Sequence, residues 1–162
     1  MAKASGRGTW VIVLSFIVAF LLAIYPLPPT MLWARPEWVT LVLIYWVIAL
    51  PQRIGILVSF GVGLILDLLE GAVLGQNALS LTVVAYLSLV LYQRLRQFNV
   101  WQQAGVVFIM VGINELVGQW VHNITGTGAR SLFFLLPALL SALLWPAILT
   151  LLRHLRRQYG VT

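Results

Sequence analysis

The sequence predicts an all-α integral membrane protein with six transmembrane helices, on the basis of composition, hydropathy and the placement of charge. Of the 162 residues, 61% are hydrophobic and only 9% are charged, whereas a soluble domain carries about 25% charged residues. The mean hydropathy is +0.98. A water-soluble domain of this length could not bury so much apolar surface. Because one span needs about 20 apolar residues, six spans would form a single transmembrane domain and leave no room for a soluble domain.

Uncharged runs and their breaks define the predicted spans. The first run, 9–25, ends before Pro26, Pro28 and Pro29, which stop a helix and predict an extended loop. It is expected to be a retained span and not a cleaved signal peptide, because no small-x-small cleavage site precedes the prolines. The other spans are predicted at approximately 38–52, 54–69, 77–93, 100–121 and 131–152.

The second and third predicted spans are short. The run 38–52 would reach only about 22 Å as a helix, against a hydrocarbon core of about 30 Å. Neighbouring helices could shield a short span, and an arginine at its end could reach the interface. A re-entrant hairpin with Arg53 at its tip is the alternative, and its tip would still have to lie near the interface.

The basic residues lie at the edges of the apolar runs and predict the orientation. With six alternating spans and a cytoplasmic N-terminus, eight basic residues face the cytoplasm and two face outward, so both termini are predicted to be cytoplasmic. No basic groove remains for a nucleic-acid backbone, so no nucleic-acid partner is expected. The inward group is Lys3, Arg7, Arg53, Arg94, Arg96, Arg153, Arg156 and Arg157, and the outward group is Arg35 and Arg130.

The sequence offers no constellation for catalysis. It has no cysteine, which excludes disulfides, a thiol nucleophile and cysteine-based metal sites. His122 and His154 fall on opposite sides of the predicted membrane and cannot form one metal site. There is no phosphate-binding loop, dinucleotide fingerprint or nucleophile motif. We therefore predict no catalytic residue, no cofactor and no metal, and expect that the protein is not an enzyme.

Small residues form a stripe on the third predicted helix. At a spacing of four residues they lie on one face, and small side chains let two helix backbones approach closely. The face is either a docking surface for a partner helix or a packing surface within the chain. If the face is a docking surface, Gly63→Leu is expected to weaken complex assembly more than it weakens membrane insertion. The stripe consists of Gly55, Ser59, Gly63 and Asp67, and its spacing continues to Gly71 and Gly75, which are expected in the following turn.

Carboxylates near the predicted outer surface have two interpretations. Asp67 and Glu70 lie about one turn apart, where they could do acid–base chemistry. The favoured interpretation is structural, with Arg35 and Arg130 on the same side as counter-charges, because charges in a bilayer are usually paired. Of the two, Asp67 is the better candidate for a functional role, because it continues the small-residue stripe.

Glu115 interrupts the otherwise apolar fifth span. Gln119 and His122 follow at i+4 and i+7, on the same helix face. A carboxylate within a membrane is costly and indicates a functional site by default. The three residues form either an intramembrane polar pocket or a structural polar cluster inside the bundle.

A series of short motifs runs in order along nearly the whole chain. The motifs are Arg35-Pro36-Glu37-Trp38, Tyr45-Trp46, Leu50-Pro51-Gln52-Arg53, Ile65-Leu66-Asp67-Leu68 with Gly71 and Leu74-Gly75, Ala85-Tyr86-Leu87, Trp101-Gln102-Gln103-Ala104 and Leu144-Trp145-Pro146. Together they resemble the MreD family of rod shape-determining proteins in its Gram-negative form. The resemblance assigns nothing to the fifth helix with Glu115.

The resemblance implies a function and partners. Proteins of this family are multi-pass components of the bacterial inner membrane that act in side-wall peptidoglycan synthesis. They work with MreC and, through it, with MreB, RodZ, RodA and its penicillin-binding transpeptidase, and have no recognised enzymatic activity. The resemblance would make this chain a non-enzymatic scaffold in contact with membrane lipids. It implies structural roles for Arg35, Pro36, Trp38, Pro51, Arg53, Gly71 and Gly75.

The fold of the family offers an alternative function. It is similar to the substrate-binding membrane subunits of energy-coupling-factor vitamin transporters, and that likeness admits an internal pocket without establishing a ligand. A small-molecule- or lipid-binding subunit would use a cavity lined by Glu115 and Gln119, with Asp67 beside them.

Overall fold

The prediction of an all-helical fold with six helices is confirmed. The computed structural model describes residues 8–26, 28–126 and 135–161, except for the side chains of 32–34. Three of the described helices, α4, α5 and α6, are long and apolar enough to cross a membrane. The helices are α1 (Thr9–Ile24), α2 (Trp38–Ala49), α3 (Ile56–Glu70), α4 (Gln76–Gln97), α5 (Val100–Ile124) and α6 (Leu135–Gln158).

Helix α2 lies at the centre of the bundle. Every residue from Val39 to Ala49 is buried, and the helix packs against α1, α4, α5 and α6. A helix that is apolar on all sides is typical of a protein interior or of a membrane span. At 1.5 Å per residue, its 12 residues span only about 18 Å, which is well short of the hydrocarbon thickness. The neighbouring helices therefore supply the shielding that the short second run was expected to need.

Two buried tryptophans are held by hydrogen bonds between helices. Trp46 Nε1 of α2 donates to Ser15 Oγ of α1 at 2.8 Å. Trp145 Nε1 of α6 donates to Gln103 Oε1 of α5 at 3.3 Å, and the Gln103 amide donates to the Leu95 carbonyl at 2.6 Å. Because a buried indole N–H needs an acceptor, these bonds link α1 to α2 and join α4, α5 and α6 to one another.

Arg96 closes the C-terminal end of α2. Its Nε donates to the Ile48 carbonyl and its Nη2 to the Ala49 carbonyl, both at 3.0 Å. The last carbonyls of a helix have no partner within the helix, and a guanidinium group both bonds them and favours the negative end of the helix dipole. The short central helix is therefore ended by a side chain from α4.

Replacing Arg96 with alanine is expected to lower the free energy of unfolding by about 1.5–3 kcal/mol, because two charge-assisted hydrogen bonds are lost. Arg96→Lys is expected to restore only part of this, since an ammonium group lacks the planar fork. Denaturant unfolding in detergent, followed by circular dichroism, measures the effect. The control is Arg94→Ala, which removes the same charge from an exposed position of the same helix. Equal losses in the two alanine variants would contradict the capping role.

The structure corrects two sequence predictions near helix starts. Pro29–Ala34 forms a 3-10 helix where an extended loop was predicted, because proline is compatible with the first turn of a helix as well as with its end. Helix α3 begins at Ile56, and Gly55 is the extended residue before it. Gly55 therefore lies off the helical face on which the small-residue stripe placed it.

Three helices extend beyond the predicted spans. They continue to Gln97, Ile124 and Gln158, where the predictions ended at 93, 121 and 152. Hydropathy marks where apolar residues stop, whereas backbone hydrogen bonding continues through polar residues that face water. The predicted start of the sixth span, at 131, lies outside the described residues, as do Lys3, Arg7 and Arg130.

Candidate functional site

Charge is segregated to the two ends of the helical bundle. All four acidic residues of the chain lie at the end where α2 begins and α3 ends, which we call the acidic end: Glu37, Asp67, Glu70 and Glu115. The opposite end, where α2 ends and α3 begins, carries Arg53, Arg96, Arg153 and Arg156, and we call it the basic end.

The small-residue stripe meets a helix of the same chain. Ser59 and Gly63 are buried on the face of α3 that packs against α4. A Cβ atom at Gly63 would meet Ala78 Cα and would lie 2.6 Å from both Ala78 N and Asn77 O. The two backbones are therefore in direct contact at this point, as small residues allow. Helix α4 is therefore the helix that packs against the small-residue stripe.

Asp67, at the end of the same face, caps the start of α4. Its side chain is only 1% exposed. The carboxylate accepts backbone N–H bonds from Gly75 at 2.9 Å, Asn77 at 2.9 Å and Ala78 at 3.4 Å. The first N–H groups of a helix have no partner within the helix, and a negative charge there is favoured by the helix dipole. Asp67 therefore holds the N-terminus of α4 against the C-terminus of α3.

Two glycines with positive φ lie in the tight turn between α3 and α4. Gly71 has φ = 66° and Gly75 has φ = 95°. Both values lie in the left-handed region, which residues with a Cβ rarely adopt. This turn brings the N–H groups at the start of α4 back to the Asp67 carboxylate.

The other motif residues lie at the ends of α2. The carbonyl of Pro36 accepts the N–H of Trp38 at 3.0 Å where α2 begins. Pro51 lies in the turn after α2, and in the same turn Arg53 Nη2 donates to Thr9 Oγ1 of α1 at 2.6 Å. The structure thus places these residues at helix boundaries.

A polar cavity of about 250 Å³ lies at the acidic end. Three carboxyl groups line this acidic cavity, those of Glu37, Glu70 and Glu115, and Glu37 lies close enough to Glu115 to act on it electrostatically. The structure therefore brings together Glu115, Gln119 and His122 in the lining of one cavity. The remaining polar lining comes from Gln76, Asn77, Asn114, Gln119 and His122.

Two amide oxygens of the acidic cavity are buried without a hydrogen-bond partner among the described residues: Gln76 Oε1 and Asn114 Oδ1. Gln76 is 8% exposed and Asn114 is 5% exposed. The amide nitrogen of Gln76 lies 3.0 Å from His122 Nε2, which accepts when the ring proton is on Nδ1. Because a buried polar atom without a partner is costly, these oxygens point to a missing donor.

The expected counter-charges are only partly found. Arg35 lies near enough to Glu70 to act on it electrostatically, but its Nη2 is buried with no hydrogen-bond partner in the described part of the chain. Asp67 was expected to be balanced by arginine and to line the cavity. It instead bonds the α4 backbone and does not line the acidic cavity. The second expected counter-charge, Arg130, lies outside the described residues.

Sequence reasoning missed several residues of the cavity. Glu37 was noticed only as part of a motif, and Gln76, Asn77 and Asn114 were not singled out. One signal was available, since the predicted topology places every carboxylate of the chain toward the same side. The amides could not be found in this way, because uncharged polar residues near helix ends are common and tertiary packing alone brings these together.

A second cavity, of about 330 Å³, lies at the basic end. Arg96, Arg153 and Arg156 line this basic cavity together with Tyr45 and Gln103. The lining therefore presents cations and hydrogen-bond donors, which suit an anionic group.

Long apolar helices around a central helix that is buried from Val39 to Ala49, with acidic and basic residues at opposite ends of the described bundle, define a small α-helical transmembrane protein. The family model described as rod shape-determining protein MreD matches residues 5–155. A curated relative, the rod shape-determining protein MreD of Haemophilus influenzae, is 37% identical over 150 residues, which cover 92% of this chain and 93% of that protein. The chain belongs to the MreD family, and its role is in determining rod shape.

No solved structure gives a significant match to the chain. The similarity of the fold to the vitamin-binding subunits of energy-coupling-factor transporters therefore stays a prediction.

Proposed function

We propose that this protein is a non-enzymatic scaffold of the bacterial inner membrane that supports side-wall peptidoglycan synthesis. Within that role it would act with MreC and, through it, with MreB, RodZ, RodA and its penicillin-binding transpeptidase. The observation that carries the proposal is the family match, which extends over residues 5–155 and so covers α1 to α5 and most of α6.

The proposed topology has six spans and two cytoplasmic ends. Gly8 and Val161 are in contact, and the rings of Trp10 and Tyr159 lie 4.7 Å apart. The two ends of the described chain are thus on one side of the bundle, together with the basic end. Because basic residues accumulate on the cytoplasmic side, this arrangement favours a cytoplasmic basic end and an outward-facing acidic end. The basic cavity would then face anionic lipid headgroups.

Partner recognition in such a protein would use helix surfaces. The stripe on α3 is covered by α4, so a partner helix needs a different face. Helix α1 offers one, because apolar side chains such as Leu14 and Leu21 are exposed along it. An exposed apolar helix face in a membrane meets either lipid or another helix.

Affinity purification of the tagged protein from its native membranes in mild detergent tests the proposed function. MreC and the wall-synthesis proteins are expected to co-purify above the level seen with an unrelated tagged membrane protein of similar size. Recovery of a pair of cytoplasmic ATPases in their place would contradict the scaffold function and support a transporter-like one.

The acidic cavity favours the second candidate, a subunit that binds a small molecule or a lipid. If the side chains around Glu115 and Gln119 were packed without a cavity, this second candidate function would be excluded. The structure instead has an open volume there and the two unpartnered amide oxygens. These observations support a ligand but leave the identity of the complex to the purification experiment.

A further inference from the structure

We propose that the acidic cavity binds a cationic nitrogen group, either an alkylammonium or a guanidinium. This inference deepens the second candidate function by naming the class of ligand. It rests on the geometry of the cavity, so it applies equally to a free amine and to a lysine or arginine side chain of a partner.

The lining of the acidic cavity is rich in hydrogen-bond acceptors. Glu37, Glu70 and Glu115 contribute carboxylate oxygens, which only accept hydrogen bonds when ionised. Gln76 Oε1 and Asn114 Oδ1 add two buried carbonyl acceptors that lack donors among the described residues. The missing group must therefore be rich in N–H or O–H donors.

Acidic groups outnumber basic groups around the acidic cavity in the described part of the chain. Arg35 acts electrostatically on Glu70, which is one of the three acidic residues of the cavity. The imidazole of His122 also lines the cavity, and its Nε2 lies next to the Gln76 amide. Among the described residues, one guanidinium therefore stands against three carboxyl groups. The Glu37 and Glu115 carboxyl groups also act on each other electrostatically. Two neighbouring carboxyl groups disfavour each other's ionisation, whereas a cation beside them favours it. The donor is therefore expected to carry positive charge.

The volume of the acidic cavity limits the size of the group that it can hold. The cavity holds about 250 Å³, whereas one water molecule in the liquid occupies about 30 Å³. A group of several heavy atoms fits this volume. Guanidinium presents five N–H donors in a plane and ammonium presents three, so either group can reach both carboxylates and amide oxygens.

The test uses the purified full-length protein in lipid nanodiscs, with methylguanidinium chloride and ethylammonium chloride as probes. Each probe is expected to raise the midpoint of thermal unfolding in a saturable manner, because it binds only the folded state. N-methylurea, which resembles methylguanidinium without the charge, and potassium chloride at matched ionic strength are expected to leave the midpoint unchanged.

Variants locate the binding. Glu115→Gln, which keeps the shape of the side chain, is expected to weaken probe binding by roughly tenfold, because one charged contact is lost. The matched control is Gln97→Lys, which raises the net charge by the same unit at the exposed end of α4, near the basic end. If Glu115→Gln does not yield folded protein, Glu70→Gln gives the same readout from the exposed end of α3.

Two further arms identify the source of the cation. A photo-reactive residue at position 119 in living cells is expected to capture a polypeptide if a partner side chain occupies the cavity, and the captured segment must then contain lysine or arginine. Native mass spectrometry of the purified protein is expected to retain a small amine if the ligand is free.

The proposal is overturned if neither probe shifts the midpoint beyond N-methylurea, or if the shift survives both Glu115→Gln and Glu70→Gln. Protection by magnesium or calcium chloride alone would overturn it as well, since the site would then prefer metal ions. Failure of these binding tests while MreC still co-purifies would reject the ligand and leave the scaffold function intact.

Discussion

Replacing Gly63 with leucine is expected to prevent the protein from folding, and even Gly63→Ala is expected to lower the free energy of unfolding by about 1–3 kcal/mol, the usual cost of overpacking. A Cβ at this position would meet the backbone at Asn77 and Ala78, which cannot rotate aside as a side chain could. The whole start of α4 would have to move. Yield of monodisperse protein and denaturant unfolding in detergent measure the two effects.

The matched control is Gly61, two residues earlier on α3. A Cβ there would meet no atom within 4 Å apart from its own helix and chain neighbours. Gly61→Ala is therefore expected to leave stability unchanged or to increase it by up to about 1 kcal/mol through helix propensity. A normally folded Gly63→Leu variant that failed only to assemble with MreC would show that the surface serves docking and not internal packing.

Replacing Asp67 with asparagine is expected to lower the free energy of unfolding by about 2–4 kcal/mol, because a charged acceptor is removed from several buried donors. Its carboxylate binds the backbone N–H groups of Gly75, Asn77 and Ala78. The asparagine side-chain oxygen can accept from some of these N–H groups, but its NH₂ group would face the remaining N–H groups, donor against donor. Asp67→Ala is expected to be more damaging, because it also leaves a cavity. Thermal unfolding in detergent measures both.

Glu70 provides the comparison, since it lies one turn away on the same helix and is exposed. Its carboxylate accepts one hydrogen bond, at 3.1 Å from Asn77 Nδ2. Glu70→Gln is expected to change stability by no more than about 0.5 kcal/mol, as is usual for surface substitutions. Equal destabilisation by Asp67→Asn and Glu70→Gln would indicate a general effect of charge at this end and would reject the capping role.

The helices could be predicted from the sequence because their signals are local. Apolar runs, prolines and arginines at run ends mark each helix without reference to the rest of the chain. The same reasoning was wrong at Gly55, where a four-residue spacing continued past the true helix start. Spacing describes a face only within a helix, and Gly55 is extended.

The site was less predictable because its parts are distant in sequence. Glu115, Gln119 and His122 share one helix face, so their meeting could be inferred from spacing. Gln76 and Glu37 reach the same cavity from α4 and from the residue before α2, which depends on how the helices pack. The role of Asp67 was hidden for a similar reason, because its backbone partners follow 8 to 11 residues later, across a turn.

The burial of α2 has a consequence for how the protein is made. A segment of 12 residues is too short for the insertion machinery to leave it stably in lipid by itself. Its stable placement therefore has to await α4, α5 and α6, which are synthesised after it. Biogenesis would then depend on the later helices to retain α2, and truncation from the C-terminal side would leave α2 without the helices that cover it.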